Sequence, residues 1–139
     1  MRSSWVSRPA AGLPGTYLAW LSDDTGSPST RFVQATVPYV RTDGTLIANN
    51  WADLTDGTLA APLNRDESGT DIGSDSVWSD TTTNGTLWED FRDCTQWTDG
   101  TNASTGRIGG AGATNAGWTE AGGSDCGLFT ARLYCFQQH

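Results

Sequence analysis

Apolar residues in this chain come in short bursts between polar, turn-forming stretches, and the pattern predicts many short strands and little helix. Residues 16–21, "TYLAWL", read as a strand that follows the Gly12/Gly15 punctuation. Residues 31–41, "RFVQATVPYVR", are interrupted by Pro38, which suits an edge strand or a turn. "GTLIA" (44–48) follows a turn as a short strand, and "NNWADLTDG" (49–57) predicts one to two helical turns with Asn50 as N-cap and Gly57 as stop. "DSVWSD" (75–80) is a further short strand. Residues 99–117, rich in Gly, Thr and Asn, read as one long loop that includes a flexible "GRIGGAG" (106–112). "LFTARLYCF" (128–136) is the strongest strand: Phe129, Ala131, Leu133 and Cys135 face one side and Arg132, Tyr134 and Phe136 the other. Apolar residues on both faces make it a central strand.

"TDGT" occurs at 42–45, 55–58 and 98–101, with spacings of 13 and 43, so it marks three turns and not a repeat. Loops this long are usually functional or cross-linked, and Trp78, Trp88, Trp97 and Trp118 are placed to pin them. At 139 residues the chain predicts one α+β domain spanning residues 1–139.

Charge narrows the partners. The net charge is −8, every basic residue is an arginine, and no basic patch is present for nucleic acid or an anionic membrane. No run of about 18 apolar residues could span a bilayer. The start, "MRSSWVSRP", lacks the apolar core of a signal peptide. The remaining composition, low in charge and rich in Gly, Thr, Asn and Trp, reads as extracellular or cell-surface, so the expectation is a truncated piece of a larger exported chain.

The stretches "AGLPGTYLAWLSD", "VPYVRTDGTLIANNWADLTDGTLAAPL", "SVWSD", "DCTQW" and "CGLFTARLYCF", in that order, resemble a bacterial extracellular family related to collagen endostatin. The resemblance covers roughly residues 10–137 and implies a C-type lectin-like fold of small sheets, two helices and a large irregular loop region. It also implies four cysteines, paired first with fourth and second with third. Cys94, Cys126 and Cys135 match the last three, and the place of the first, before "AAGLPG", holds no cysteine. The resemblance therefore implies a Cys94–Cys126 disulfide and leaves Cys135 outside it as a thiol, buried or intermolecular. The family's N-terminal strand and half-helix look missing, which would leave the terminal strand with an open edge for self-association.

Chemistry is sparse. The single histidine is His139 and lysine is absent, which removes histidine-based triads, multi-histidine metal sites and lysine chemistry. No acid–base carboxylate pair is marked by spacing, so an enzyme is not expected. Calcium is the one cofactor with candidate ligands, at Asn64, Asp66 and Glu67, against the plainer reading of solvated turn acids. Trp88 and Trp118, with Arg107 and Asn115 nearby, are candidates for stacking on a sugar; loop-pinning core tryptophans are the alternative. Asn84 and Asn102 fit the glycosylation acceptor pattern. The reading that follows is a non-catalytic extracellular binding module for a glycan or protein, with a self-assembling structural subunit as the alternative.

Overall fold

The computed structural model describes residues 4–5 (backbone only), 15–89, 91–128 and 130–138. The expected facing of Phe129, the terminal His139 and the "AGLPG" segment lie outside them.

The chain forms an α+β domain of short elements. Strand β1 is Ser4–Trp5, β2 Thr16–Ala19, β3 Tyr39–Val40, β4 Leu46–Ala48 and β5 Ser76–Trp78. Strand β6 is Thr105–Gly110, β7 Gly122–Asp125, β8 Arg132–Leu133 and β9 Cys135–Gln138. Helix α1 covers Pro28–Arg31 and α2 Trp51–Leu54, and a 3-10 turn spans Ala116–Trp118. Among the described residues a five-stranded sheet runs β1-β8-β5-β6-β7, with β2-β9 and β3-β4 as separate pairs.

Local rules account for much of this. The three "TDGT" segments are turns in which Asp43, Asp56 and Asp99 each accept from the backbone N–H two residues on, at 3.2, 3.0 and 2.8 Å. Asn50 caps α2 by accepting from Asp53 N at 2.9 Å. The expected strand or turn across 31–41 is mostly neither. Pro28 opens α1, where Ser27 N donates to Thr30 Oγ1 at 3.0 Å, and only Tyr39–Val40 joins a sheet, beyond Pro38.

Two clusters form the core, and the terminal segment feeds both. Ala131, Leu133 and Cys135 pack with Trp78, Cys94 and Cys126. Tyr134 and Phe136 pack on the other side with Trp20, Phe32, Ile47, Leu54 and Trp118. The alternation expected from "ARLYCF" is therefore realised, although Tyr134 divides the segment into β8 and β9. Strand β8 lies between β1 and β5, and β9 pairs antiparallel with β2 in a two-stranded sheet, Thr16 opposite Gln138 through Ala19 opposite Cys135.

A hydroxyl network sits inside the larger cluster. Trp20 Nε1 donates to Thr119 Oγ1 at 2.8 Å, Thr119 Oγ1 donates to the Thr81 carbonyl at 2.7 Å, and Ser79 Oγ lies 2.6 Å from Thr119 Oγ1. Ser22 and Thr81 hydroxyls pair at 2.8 Å, so these buried polar groups satisfy one another.

The long loop expected over 99–117 contains β6, the centre of the β5-β6-β7 arrangement. Its glycines are there for close approach. A Cβ on Gly106 would lie 2.7 Å from Cys94 Sγ and 2.8 Å from Trp78 Cζ3. A Cβ on Gly109 would overlap the Trp118 carbonyl oxygen and reach Thr119 Cα at 2.7 Å.

Candidate functional site

Strand β6 carries a surface that joins charged and aromatic side chains. Arg107 projects from it and forms a two-point ion pair with Glu89: Nε donates to Oε2 at 3.0 Å and Nη2 to Oε1 at 2.8 Å. The same guanidinium lies 4.4 Å from the centroid of the Trp88 ring. Arg92 reaches the same carboxylate, with Nε 3.3 Å from Oε2, the oxygen that also accepts from Arg107 Nε. The Glu89 carboxylate thus bridges two arginines. The pKa of its carboxyl is held below the usual glutamate range, chiefly by the Arg107 hydrogen bond, and the Arg107 guanidinium is correspondingly harder to deprotonate. Phe91, 71% exposed, stands beside this trio, with the Arg92 guanidinium 5.8 Å from its ring centroid. Both arginines converge over Gly123 of β7, where a side chain would begin 3.7 Å from Nη1 of each.

The loop that presents Trp88, Glu89 and Phe91 is tied down from beneath. Thr81 bridges Leu87, and Trp88 N donates to the Asp80 carbonyl at 2.9 Å. Asp80 N and Arg92 O both bond to the backbone of Arg107, at 3.3 and 2.9 Å. Next comes Cys94–Trp97, a single turn whose φ values of 51°, 55°, 54° and 63° are left-handed throughout. None of these residues is glycine, so the conformation costs roughly 1–2 kcal/mol per residue. It is held by the Cys94–Cys126 disulfide, which joins residues 32 apart with Cα atoms at 5.7 Å. The Trp97 ring packs 5.7 Å from that of Trp78, and Trp97 Nε1 donates to the Ser22 carbonyl at 2.8 Å. The disulfide is the one the resemblance implied. Cys135 lies outside it as a half-buried thiol in β9.

The other sequence candidates are scattered. Trp118 is fully buried, 4.8 Å from the Trp20 ring and 5.6 Å from Tyr134, so it pins the core and offers no stacking face. Asn115 is exposed and caps the 3-10 turn by accepting from Gly117 N at 3.0 Å; among the described residues no hydrogen bond joins it to Trp88 or Arg107. The calcium candidates have structural work. Asn64 Oδ1 accepts from Arg41 and Arg65 at 2.8 and 3.1 Å, and Asp66 Oδ1 accepts from Ser68 N and Thr70 N, both at 2.9 Å. Glu67, next in the chain, is half-buried. Among the described residues no group of three or more His, Cys, Asp and Glu side chains is gathered as a metal ion would need. Asn84 and Asn102 are both exposed on turns, where a glycan could be attached.

Sequence reasoning nominated Trp88 and Arg107, which lie together, and did not nominate Glu89, Phe91 and Arg92 beside them. The recurrence of aromatic and charged residues in "WEDFRD" was the available signal. No protein-family model and no curated protein matches this chain.

Proposed function

We propose that the chain is a non-catalytic, extracellular binding module of the C-type lectin-like, endostatin-related kind, and that it takes a glycan at the Trp88–Glu89–Phe91–Arg92–Arg107 surface. The observation that carries this reading is an exposed aromatic ring, Phe91, beside a rigid ion-paired trio of two arginines and a glutamate. A sugar's apolar face stacks on such a ring, while its hydroxyls need planar donors and acceptors already fixed in place. Arg107 and Glu89 are fixed by each other and by Trp88. The buried disulfide supports an oxidising compartment. Among the described residues no helix is long and apolar enough to cross a membrane. Asp80 and Asp93 are both buried, which leaves a substrate no access to them.

A glycan array followed by calorimetry on the best ligand tests this. Phe91→Ala is expected to weaken binding about tenfold, the scale of one lost aromatic contact of roughly 1.4 kcal/mol, with little change in stability because the ring is already in water. Binding by no glycan, or equal binding by Phe91→Ala and Arg107→Ala variants, would end the proposal.

A different face supports the self-assembly alternative. Val40, 61% exposed, is paired across strands with exposed Leu46, and Val33 and Val37 are exposed on the preceding segment. If this face packs against a second copy, light scattering will show mass rising with concentration, and Val40→Lys will return the monomer. A wild-type monomer at every concentration removes this alternative.

A further inference from the structure

Gly123 leaves a side-chain-sized space on the surface of β7. It stands opposite Arg107 in the β6–β7 register, so a side chain there would project on the same face as the Arg107 guanidinium. The position is exposed. A Cβ on Gly123 would lie 3.7 Å from Arg107 Nη1, 3.7 Å from Arg92 Nη1 and 3.4 Å from the Gly106 carbonyl oxygen. Two guanidinium nitrogens, one from β6 and one from the loop before Asp93, therefore face one point.

These guanidinium groups have donors to spare. Arg107 places Nε and Nη2 on Glu89, and Arg92 directs Nε to the same carboxylate. Among the described residues no acceptor is hydrogen-bonded to Arg107 Nη1 or to either terminal nitrogen of Arg92. Both groups are nevertheless held in place, by Glu89 and, for Arg107, by the Trp88 ring. Within this trio two arginines face one glutamate, which leaves one positive charge in surplus.

We infer that the Arg92–Arg107 pair over Gly123 is a subsite for a single carboxylate, the one carried by an acidic sugar. A carboxylate is planar and offers two oxygens, which suits two N–H donors arriving from different segments. Its one negative charge matches the surplus of the trio, whereas a phosphate monoester carries nearly two. The net charge of −8 works against a polyanionic chain. One carboxylate seated between the arginines is affected less, because salt screens exposed charges beyond about 8 Å. The Gly106 carbonyl oxygen at the floor is an acceptor and suits a sugar hydroxyl. The exposed Phe91 ring, next in the chain to Arg92, takes the apolar face of the sugar. That the acid belongs to a sugar rests on the proposed function; the carboxylate subsite does not.

The first test needs no ligand. The Gly123 backbone is not left-handed, so a side chain is tolerated there. Gly123→Asp tethers a carboxylate in the space, and Gly123→Asn fills it without the charge. The aspartate variant is expected to unfold at the higher temperature; a midpoint equal to or below that of the asparagine variant would overturn the inference. The second test is an NMR titration of the wild type with sodium acetate. The Gly123 amide and the arginine Nε–H signals are expected to shift saturably with acetate and not with chloride at equal ionic strength, and Arg92→Gln is expected to lose the response. No acetate response in the wild type would overturn the inference. The third compares methyl glucuronide with its methyl ester. The acid is expected to bind at least about tenfold tighter, the scale of one charge-assisted hydrogen bond. Equal binding of acid and ester would overturn the carboxylate subsite and leave the glycan reading standing. A sulfated glucoside that binds as tightly as the acid would overturn the assignment to a carboxylate. If no glycan binds while the acetate response and the Gly123→Asp gain are both seen, the proposed function is discarded and the carboxylate subsite is kept.

Discussion

Opening the Cys94–Cys126 bridge is expected to lower stability by roughly 3–4 kcal/mol, the loop-entropy value for a closed loop of 32 residues. Both sulfurs are buried against Trp78, Ala131 and Leu133, so a Cys94→Ala, Cys126→Ala double variant adds a small packing loss. The bridge also restrains the left-handed turn at Cys94–Trp97. Without it, the turn is held by Asp93 Oδ1 on Gln96 N, by Trp97 Nε1 on the Ser22 carbonyl and by the packing of Trp97 on Trp78. Relaxation to an ordinary backbone would offset part of the loss and would carry Trp97 away from Trp78. Urea unfolding with and without reductant measures the first effect, and near-ultraviolet circular dichroism the second. An unchanged urea midpoint together with an unchanged aromatic signal would show that the turn is set by Trp97 packing and that the bridge contributes nothing to it.

Gly109→Ala is expected to lose about 3 kcal/mol, at or above the upper end of ordinary overpacking penalties. Most overpacked sites relax by rotating a side chain. Here the added methyl meets backbone: the carbonyl of Trp118 and Cα of Thr119. These atoms belong to the segment that carries the Trp20–Thr119 hydrogen bond and the Tyr134 hydroxyl bond to the Trp118 carbonyl at 2.8 Å. Moving the segment strains both. Gly110→Ala is the control, because its nearest neighbour would be a comfortable 3.8 Å away. Equal thermal midpoints for the two variants would contradict the close-approach account of the β6 glycines.

Those glycines also show where sequence reasoning stopped. A run such as "TGRIGG" has the composition of a loop, and only the positions of Trp78, Trp118 and the disulfide reveal that each small residue is opposed by a large neighbour. The left-handed turn was equally hidden, since "CTQW" contains neither glycine nor asparagine and its backbone is imposed by contacts from Ser22, Trp78 and Cys126. Nothing in "VWSD" or "FRDC" marks Asp80 and Asp93 as buried. What was legible were features decided within a few residues: the three Asp-Gly turns, the Asn50 cap, the strands at 46–48 and 76–78, and the two-faced alternation of 131–136. Of the surface, Trp88 and Arg107 could be nominated by type, but their joining through Glu89 depends on β6 lying beside the loop of residues 80–93.

The pairing of β2 with β9 has a consequence for how the chain is made. Thr16–Ala19 is synthesised long before its partner, Cys135–Gln138, which lies more than a hundred residues further along the chain. Trp20, whose backbone N–H bonds to the Tyr134 carbonyl at 2.8 Å, waits equally long. At typical elongation rates of roughly 5–20 residues per second, that is an interval of several seconds or more in which an aromatic strand has no place to go. The β2–β9 pair therefore cannot close before residue 138 has been made, and a chain halted before residue 135 would present β2 and the core residue Trp20 to whatever chaperone or export machinery is at hand.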